Sequence, residues 1–205
     1  MTTASSQDFS DIIDIMKLII ASNNKDKITE IKAILGEHFE EIVSMREAGI
    51  EHETVEDGIT FMENAEKKAR EIAEISGCCA IADDSGICVD ALDGAPGIFS
   101  ARFCGHHGDD AENNRLLLEK MQGKADRKAH YTCAIVLAYP DGRLICAEDY
   151  FHGEIGYEEK GCYGFGYDPL FYLPEYGCTS AEILPEKKNE ISHRAKALRA
   201  LVKKL

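Results

Sequence analysis

Four clusters in this sequence bring together small residues, fixed charges and turn formers, the mixture that a site for a polar ligand requires. The first is Ser22-Asn23-Asn24-Lys25-Asp26-Lys27, placed where an apolar run gives way to a helical pattern. Backbone N–H groups at a helix start, with a hydroxyl, an amide and lysines, suit a phosphate group. It is not a Walker A loop, because G-x-x-x-x-G-K-[ST] is absent. The second is Ala82-Asp83-Asp84-Ser85-Gly86 at the end of an apolar strand, preceded in sequence by Glu51, Glu53, Glu56 and Asp57. Adjacent aspartates there are costly unless a positive group lies between them or one is protonated. Mg²⁺, held by one or two carboxylates plus substrate phosphates, meets that need. The third, Gly164-Phe165-Gly166-Tyr167-Asp168-Pro169, sets aromatic rings between glycines, as in a loop that stacks on a planar base. The fourth, from Glu186 to Ala195, offers Lys188, His193 and Arg194 as donors for phosphate or for a base edge. Taken singly, the four also fit a capped surface helix, a solvated acidic turn, an aromatic-rich turn and a polar helix start.

The elements that must position these clusters follow from periodicity and punctuation. KLIIAS at 17–22 reads as a short buried strand. Ile28, Ile31, Ile34 and Leu35 then repeat at helical spacing, with Asn24 as N-cap and Gly36 as the stop. A second strand covers Glu41 to Ser44, and the acidic loop EHETVED follows. Thr60-x-x-Glu63 resembles a capping box for a helix with Phe61, Ala65, Ala69, Ile72 and Ala73 on one stripe, ended by Gly77. Cys79 to Ala82 is a brief strand into the acidic cluster, with Ile87 to Leu92 extended beyond it, and DGAPG at 93–97 is a turn. A helix is expected over 109–121. A hairpin runs from Tyr131 to His152 through Pro140-Asp141-Gly142, and a strand covers Leu170 to Leu173. Helices follow near 179–184 and from Ser192 to Lys204. This order predicts an α/β fold, a mixed central sheet flanked by helices, in two lobes around a cleft. Residues 1–16 read as a polar leader and 17–205 as a single domain.

The chain has 205 residues, 44% hydrophobic and 29% charged, so one domain can bury a sizeable core. Its 37 acidic against 23 basic residues, a formal charge of -14, argue against a surface for a nucleic acid polymer. A single nucleotide in a local basic pocket remains compatible with that balance. The apolar run Cys133 to Tyr139 falls far short of the roughly 20 residues of a membrane helix, so no membrane association is expected. Residues 1–16 lack the n- and h-regions of a secretory signal, which predicts a cytoplasmic protein. None of the eight cysteines forms a C-x-x-C pair, so they read as reduced structural thiols.

In chain order the motifs are S-x-N-x-x-K, F-x-E-N-A-x-x-K-A, I-A-D-D-S-G with G-A-P-G-I-x-S-A-R, G-F-G-Y-D-P-x-F and K-x-x-I-S-H-R-A. Together, from about Lys17 to the C-terminus, they resemble the inosine triphosphate pyrophosphatase family. The resemblance implies Mg²⁺-dependent hydrolysis of ITP, dITP and XTP to the monophosphate and pyrophosphate by a homodimer. It implies that Ser22, Asn24 and Lys27, with Lys25 in the same cluster, hold the triphosphate, and that Asn64 and Lys68 face the phosphates. Asp84 would be the general base and a metal ligand, with Ser85 as a substrate contact. Glu56 is taken as the second metal carboxylate, a part that Glu51 or Glu53 could fill. Phe165, Gly166, Tyr167 and Asp168 would line the base pocket, and Lys188, His193 and Arg194 would complete it. Asn23 and Asp26 stand where the family often has Gly. Donors on His193, Arg194 or nearby backbone N–H groups, aimed at a 6-oxo group, would oppose the 6-amino group of adenine, a mismatch worth about 10⁴-fold.

Two other readings compete. Asp84-Ser85-Gly86 has the D-[ST]-G form of aspartic proteases, but that mechanism needs two facing copies and the chain has one. A non-catalytic purine nucleotide-binding module is the stronger alternative, and the presence of Asp84 with Lys27 and Lys68 weighs against it.

Overall fold

The structure, a computed structural model, describes residues 17–205, and the polar leader expected over 1–16 lies outside the described residues. One seven-stranded sheet has the order β2-β1-β3-β4-β5-β6-β7. Its strands are β1 (Lys17–Ile20), β2 (Glu41–Ser44), β3 (Cys79–Val89), β4 (Lys128–Ala138), β5 (Leu144–Ile155), β6 (Phe171–Leu173) and β7 (Cys178–Thr179). β1 pairs in parallel with β2 and β3, and every later pairing is antiparallel, so the sheet is mixed as expected.

The described residues also form five α-helices: α1 (Lys25–Leu35), α2 (Phe61–Ser76), α3 (Asp110–Lys120), α4 (Pro185–Ile191) and α5 (His193–Val202). Alternation along the strands assigns them to faces. Ile19, Ala80, Ala82, Ala134 and Val136 turn to one face and pack against Ala65, Ala69, Ile72 and Ala73 of α2. Leu18, Ile20, Ile81, Cys133 and Ile135 turn to the other, against Ile31 and Leu35 of α1 and Leu198 and Leu201 of α5. Farther along β3, β4 and β5, a third core joins Ile87, Val89, Tyr131 and Phe151 to Leu117 of α3 and to Met121 just beyond its end. Two lobes thus share the long central strands.

The caps act where the sequence placed them. Asn24 Oδ1 accepts from the N–H groups of Asp26 and Lys27, and Thr60 Oγ accepts from Glu63 N. The box at Thr60 is shifted by one residue, because the Glu63 carboxylate accepts from Ile59 N. Ser192 is extended, which ends α4, and its hydroxyl caps α5 at Ala195 N.

Two expectations are corrected, and further elements were not foreseen. The brief strand Cys79–Ala82 is the first part of an 11-residue strand, so Asp83, Asp84 and Ser85 lie inside the ladder opposite Ile135, Ala134 and Cys133. The antiparallel partner β4 continues past the acidic cluster, and that pairing outweighs the weak strand preference of Asp and Gly. The helix near 179–184 is a 3-10 turn, Ser180–Glu182, closed by a Thr179–Glu182 capping box. An unexpected helix, α4, begins with Pro185, whose missing N–H costs nothing at a first helical position. The two-residue strand β7 and the 3-10 segment Gly97–Arg102 were also not evident from periodicity.

Candidate active site

A gap in the sheet opens the site. β1 pairs with β3 only as far as Ile20 opposite Ile81, with one further bond from Ala21 N to Ile81 O. The 3-10 segment Gly97–Arg102 reaches β3 again at Ile87, whose N–H donates to Ser100 Oγ at 2.9 Å. Between these points the edge of β3 at Asp83 to Ser85 is left without a neighbouring strand. A cleft of ≈ 770 Å³ lies there, outside the carboxyl end of β1, where open α/β sheets bind ligands.

The direct ion partners of the two aspartates differ. Neighbouring strand residues point to opposite faces, and each aspartate has its own partners. Asp84 faces α2: Lys68 Nζ lies 3.0 Å from Asp84 Oδ1 and 2.8 Å from Glu56 Oε1. Asn64 Nδ2 donates to Asp84 Oδ2 at 3.3 Å, while its Oδ1 accepts from Gly58 N. Asn64 therefore ties the acidic loop to Asp84 and does not line the cleft. The loop is also held at Glu71, which accepts from Thr54 and contacts His52. Glu56 consequently shares Lys68 with Asp84, whereas Glu53 only lines the cleft and Glu51 is outside it.

Burial pushes the Asp84 carboxyl above the usual aspartate range, despite Lys68 and Lys27. Burial acts on Glu56 in the same sense, but Lys68, Lys27 and Arg102 outweigh it and hold that carboxyl low. Lys68 is itself raised, because Asp84, Glu56 and Asp83 overcome its desolvation.

Asp83 faces α1 and α5 and heads a buried ionic chain. Its Oδ2 receives Arg194 Nη2 at 3.0 Å and Nε at 3.2 Å, with Lys27 Nζ at 3.2 Å. Arg194 Nη1 donates to Glu30, and Lys188 Nζ bridges Glu30 at 3.4 Å and Asp168 Oδ2 at 2.5 Å. Asp168 in turn accepts from Phe165 N. Burial opposes ionisation of Asp83, yet Lys27, Arg194 and Lys68 hold its carboxyl far below the ordinary range.

The chain runs behind the cleft wall, so Lys188 and Arg194 do not line the cleft. They stand instead against the Phe165 ring, with Lys188 Nζ 4.8 Å and Arg194 Cζ 5.7 Å from its centroid. Arg194 spends its donors on Asp83, Glu30 and Ser85, which removes it as a source of donors for a base. Ser22, Asn24, Lys27, Ser85, Phe165, Gly166, Tyr167, Asp168 and His193 do line the cleft, and Lys25 is exposed outside it. The helix-start amides of Asp26 and Lys27 are already taken by Asn24, so phosphate contacts at this end fall mainly to side chains.

His193 is buried and stacked on Tyr131, ring centroids 4.6 Å apart and planes 6° from parallel, with Nδ1 unpartnered. Burial, then the neighbouring Arg194 and Lys188, push its pKa well below the ordinary histidine value. Unfolded His193 takes up a proton as pH drops through about 6.5, and the folded residue does not. Stability should therefore decline from that pH downward. Chemical unfolding at a series of pH values should show the decline in the wild type and a smaller slope in His193→Phe, and equal slopes would refute it.

Several residues at this site had no signal in the motifs. Glu30 looks like any exposed helix charge until α5 packs on α1. Gly166 is gripped from α3, its N–H donating to Asp110 Oδ2 at 2.8 Å and its carbonyl accepting from Asn114 Nδ2 at 3.1 Å. With Phe165 N held by Asp168, two backbone donors of the aromatic loop are unavailable to a base. Gly164, at φ +76°, passes so near Asp168 that a Cβ would lie 2.2 Å from Oδ2. Tyr167 donates to Ser100 O at 2.8 Å, fixing the loop to the opposite wall.

The donor set suits a hard divalent cation. Asp84 Oδ2 has only a long amide contact, Glu56 converges on the same lysine, and the buried Asp84 charge is incompletely compensated. Among the described residues, no three His, Cys, Asp or Glu side chains form a metal cage. Two carboxylates leave the remaining positions around a hard divalent cation to water or substrate oxygens.

A profile of the Ham1 family matches residues 18–204. The dITP/XTP pyrophosphatase of Desulforamulus reducens is 50% identical over 186 residues, 90% of this chain and 92% of that protein. The dITP/XTP pyrophosphatase of Nitrosomonas europaea is 49% identical over 191 residues, 92% and 94% of the respective chains. The Staphylococcus aureus Ham1 protein has a similar structure, with a TM-score of 0.82 at 38% identity over 90% of this chain and 95% of that one.

Proposed function

The chain belongs to the Ham1 family, and on that premise we propose that it hydrolyses noncanonical purine nucleoside triphosphates (ITP, dITP and XTP) to the monophosphate and pyrophosphate. It is a nucleoside triphosphate pyrophosphatase, a hydrolase of nucleotide metabolism. The observation that carries the mechanism is the buried Asp84 carboxylate, facing the cleft beside Lys68, Asn64 and Glu56.

Asp84 accepts a proton from water as the water oxygen attacks the α-phosphorus, and its raised pKa makes it a better base than an exposed aspartate. Lys68 keeps that carboxylate oriented, and Asn64 locks its second oxygen to the loop that carries Glu56. A Mg²⁺ ion held by Asp84 and Glu56 would offset charge on the phosphate oxygens. Lys27, which lines the cleft from α1, neutralises the phosphate chain there. At the other end the base stacks on Phe165, whose far face is backed by two cations. His193, which lines the cleft and stacks on Tyr131, contributes ring surface to the base pocket.

Metal dependence, with Mg²⁺ as the ion, and action as a homodimer in the cytoplasm belong to the same reading. Ile59, Phe99 and Tyr150, exposed around one groove, support association with a second copy. Among the described residues, no helix is long and apolar enough to cross a membrane.

Incubation with ITP, XTP, GTP and ATP, with and without Mg²⁺, tests the proposal. Pyrophosphate should appear from ITP and XTP only with the metal, and orthophosphate in its place would mean that another bond is cut. Tight ITP binding without turnover in Mg²⁺ would decide for a non-catalytic binding module.

A further inference from the structure

Among the described residues, three lysine or arginine side chains line the cleft, Lys27, Lys68 and Arg102, and two of them are already committed. Lys27 is held by Asp83 and Lys68 by Asp84 and Glu56. Arg102 differs. Its guanidinium makes no hydrogen bond among the described residues, and its ion partner Glu56 Oε2 lies 3.6 Å away, beyond hydrogen-bond reach. A planar fork of N–H donors left unused at the wall of a cleft is suited to phosphate oxygens.

The support of Arg102 is rigid. It ends the 3-10 segment Gly97–Arg102, where Ser100 Oγ donates to Gly97 O at 2.6 Å and accepts from Ile87 N. Gly86 permits this closeness, because a Cβ there would meet Ser100 Oγ at 2.4 Å. Ser100 O also receives the Tyr167 hydroxyl, so the segment is fixed to the catalytic strand and to the aromatic loop together. The Arg102 guanidinium lies 5.2 Å from the Phe99 ring centroid.

Glu56 relates Arg102 to the Asp84 carboxylate. Lys68 takes Glu56 Oε1 and bridges to Asp84, whereas Arg102 approaches Oε2. Arg102 therefore lies farther from Asp84 than Lys68 does, with no ion pair to that carboxylate among the described residues. Carboxylates also outnumber these cations on the cleft wall, where Glu53, Glu56, Asp84, Asp110 and Asp168 all stand. A triphosphate entering such a site needs every available positive group.

We propose that Arg102 binds the two outer phosphates and stabilises the departing pyrophosphate, a role that rests on the pyrophosphatase reading above. The water oxygen bonds to the α-phosphorus and its proton passes to Asp84. The bond from the α-phosphorus to the α,β-bridging oxygen breaks, and its electron pair leaves on pyrophosphate beside Arg102.

The test compares wild type, Arg102→Gln and Arg102→Lys by ITP turnover at saturating Mg²⁺, by inhibition with inorganic pyrophosphate and IMP, and by calorimetric binding of pyrophosphate without metal. Arg102→Gln should lower kcat/KM for ITP by about 100-fold, the scale of losing a charge-stabilising donor. Its pyrophosphate affinity should fall at least about tenfold, with IMP inhibition unchanged and Arg102→Lys intermediate. Unchanged pyrophosphate affinity in a folded Arg102→Gln, or an equal loss for IMP, would overturn the proposal. Wild type that binds pyrophosphate through Arg102 but releases none from ITP or XTP would refute the pyrophosphatase reading. Wild type that releases pyrophosphate while the variant binds it normally would refute the arginine role alone.

Discussion

Asp84→Asn should lower ITP turnover by at least about 100-fold, the lower range for loss of a general base. The amide keeps the shape of the side chain, and Lys68 retains Glu56 at 2.8 Å, so the site should stay assembled. Thermal unfolding in metal-free buffer should not be lowered. The folded carboxyl is raised by burial, so above the unfolded value near 3.8 the ionised group opposes folding, and Asn removes that cost. A near-normal rate would remove Asp84 from its role as base. A marked fall in the thermal midpoint would instead show that its charge supports the fold.

The residue next to it has the opposite linkage. Asp83 has a depressed folded pKa, so it contributes stability above about 3.8 that is lost as pH falls through the folded value. Its main partner gives the largest expected stability effect. Arg194→Leu should destabilise the protein by about 3–5 kcal/mol, because Asp83 and Glu30 would be left without their shared guanidinium. For a domain of this size that is a drop of roughly 6–20 °C in Tm. The difference from wild type should shrink on acidification, since an unpaired Asp83 protonates at a higher pH than a paired one. A Tm shift smaller than about 2 °C would mean that the ionic chain adds little to stability. Arg194→Lys should fall between, because an ammonium cannot serve Asp83, Glu30 and Ser85 at once.

Much of this molecule is legible in local pattern. The 3.6-residue stripe of α2 and the caps at Asn24 and Thr60 rest on interactions a few residues apart. Those signals suffice for the longer elements in order, the mixed sheet and the neighbourhood of each motif, but not for α4 or β7. They miscarry at β3, where Asp-Asp-Ser-Gly reads as a turn but is held in the ladder by a partner about 50 positions later. Had 79–89 been read as one strand, alternation alone would have sent Asp83 and Asp84 to opposite faces.

The sequence by itself determined which residues could do chemistry, and roughly where along the chain they would sit. Only the tertiary structure decided which of them face the cleft and which stand behind it. Lys188 and Arg194 turned inward because Glu30, 164 positions from Arg194, and Asp168 offered buried carboxylates. Arg102 reached the cleft because Gly86 let a remote segment lie against β3. A buried charge settles on whichever opposite charge the packing brings near, and that choice depends on elements far apart in the chain, beyond the reach of any local period.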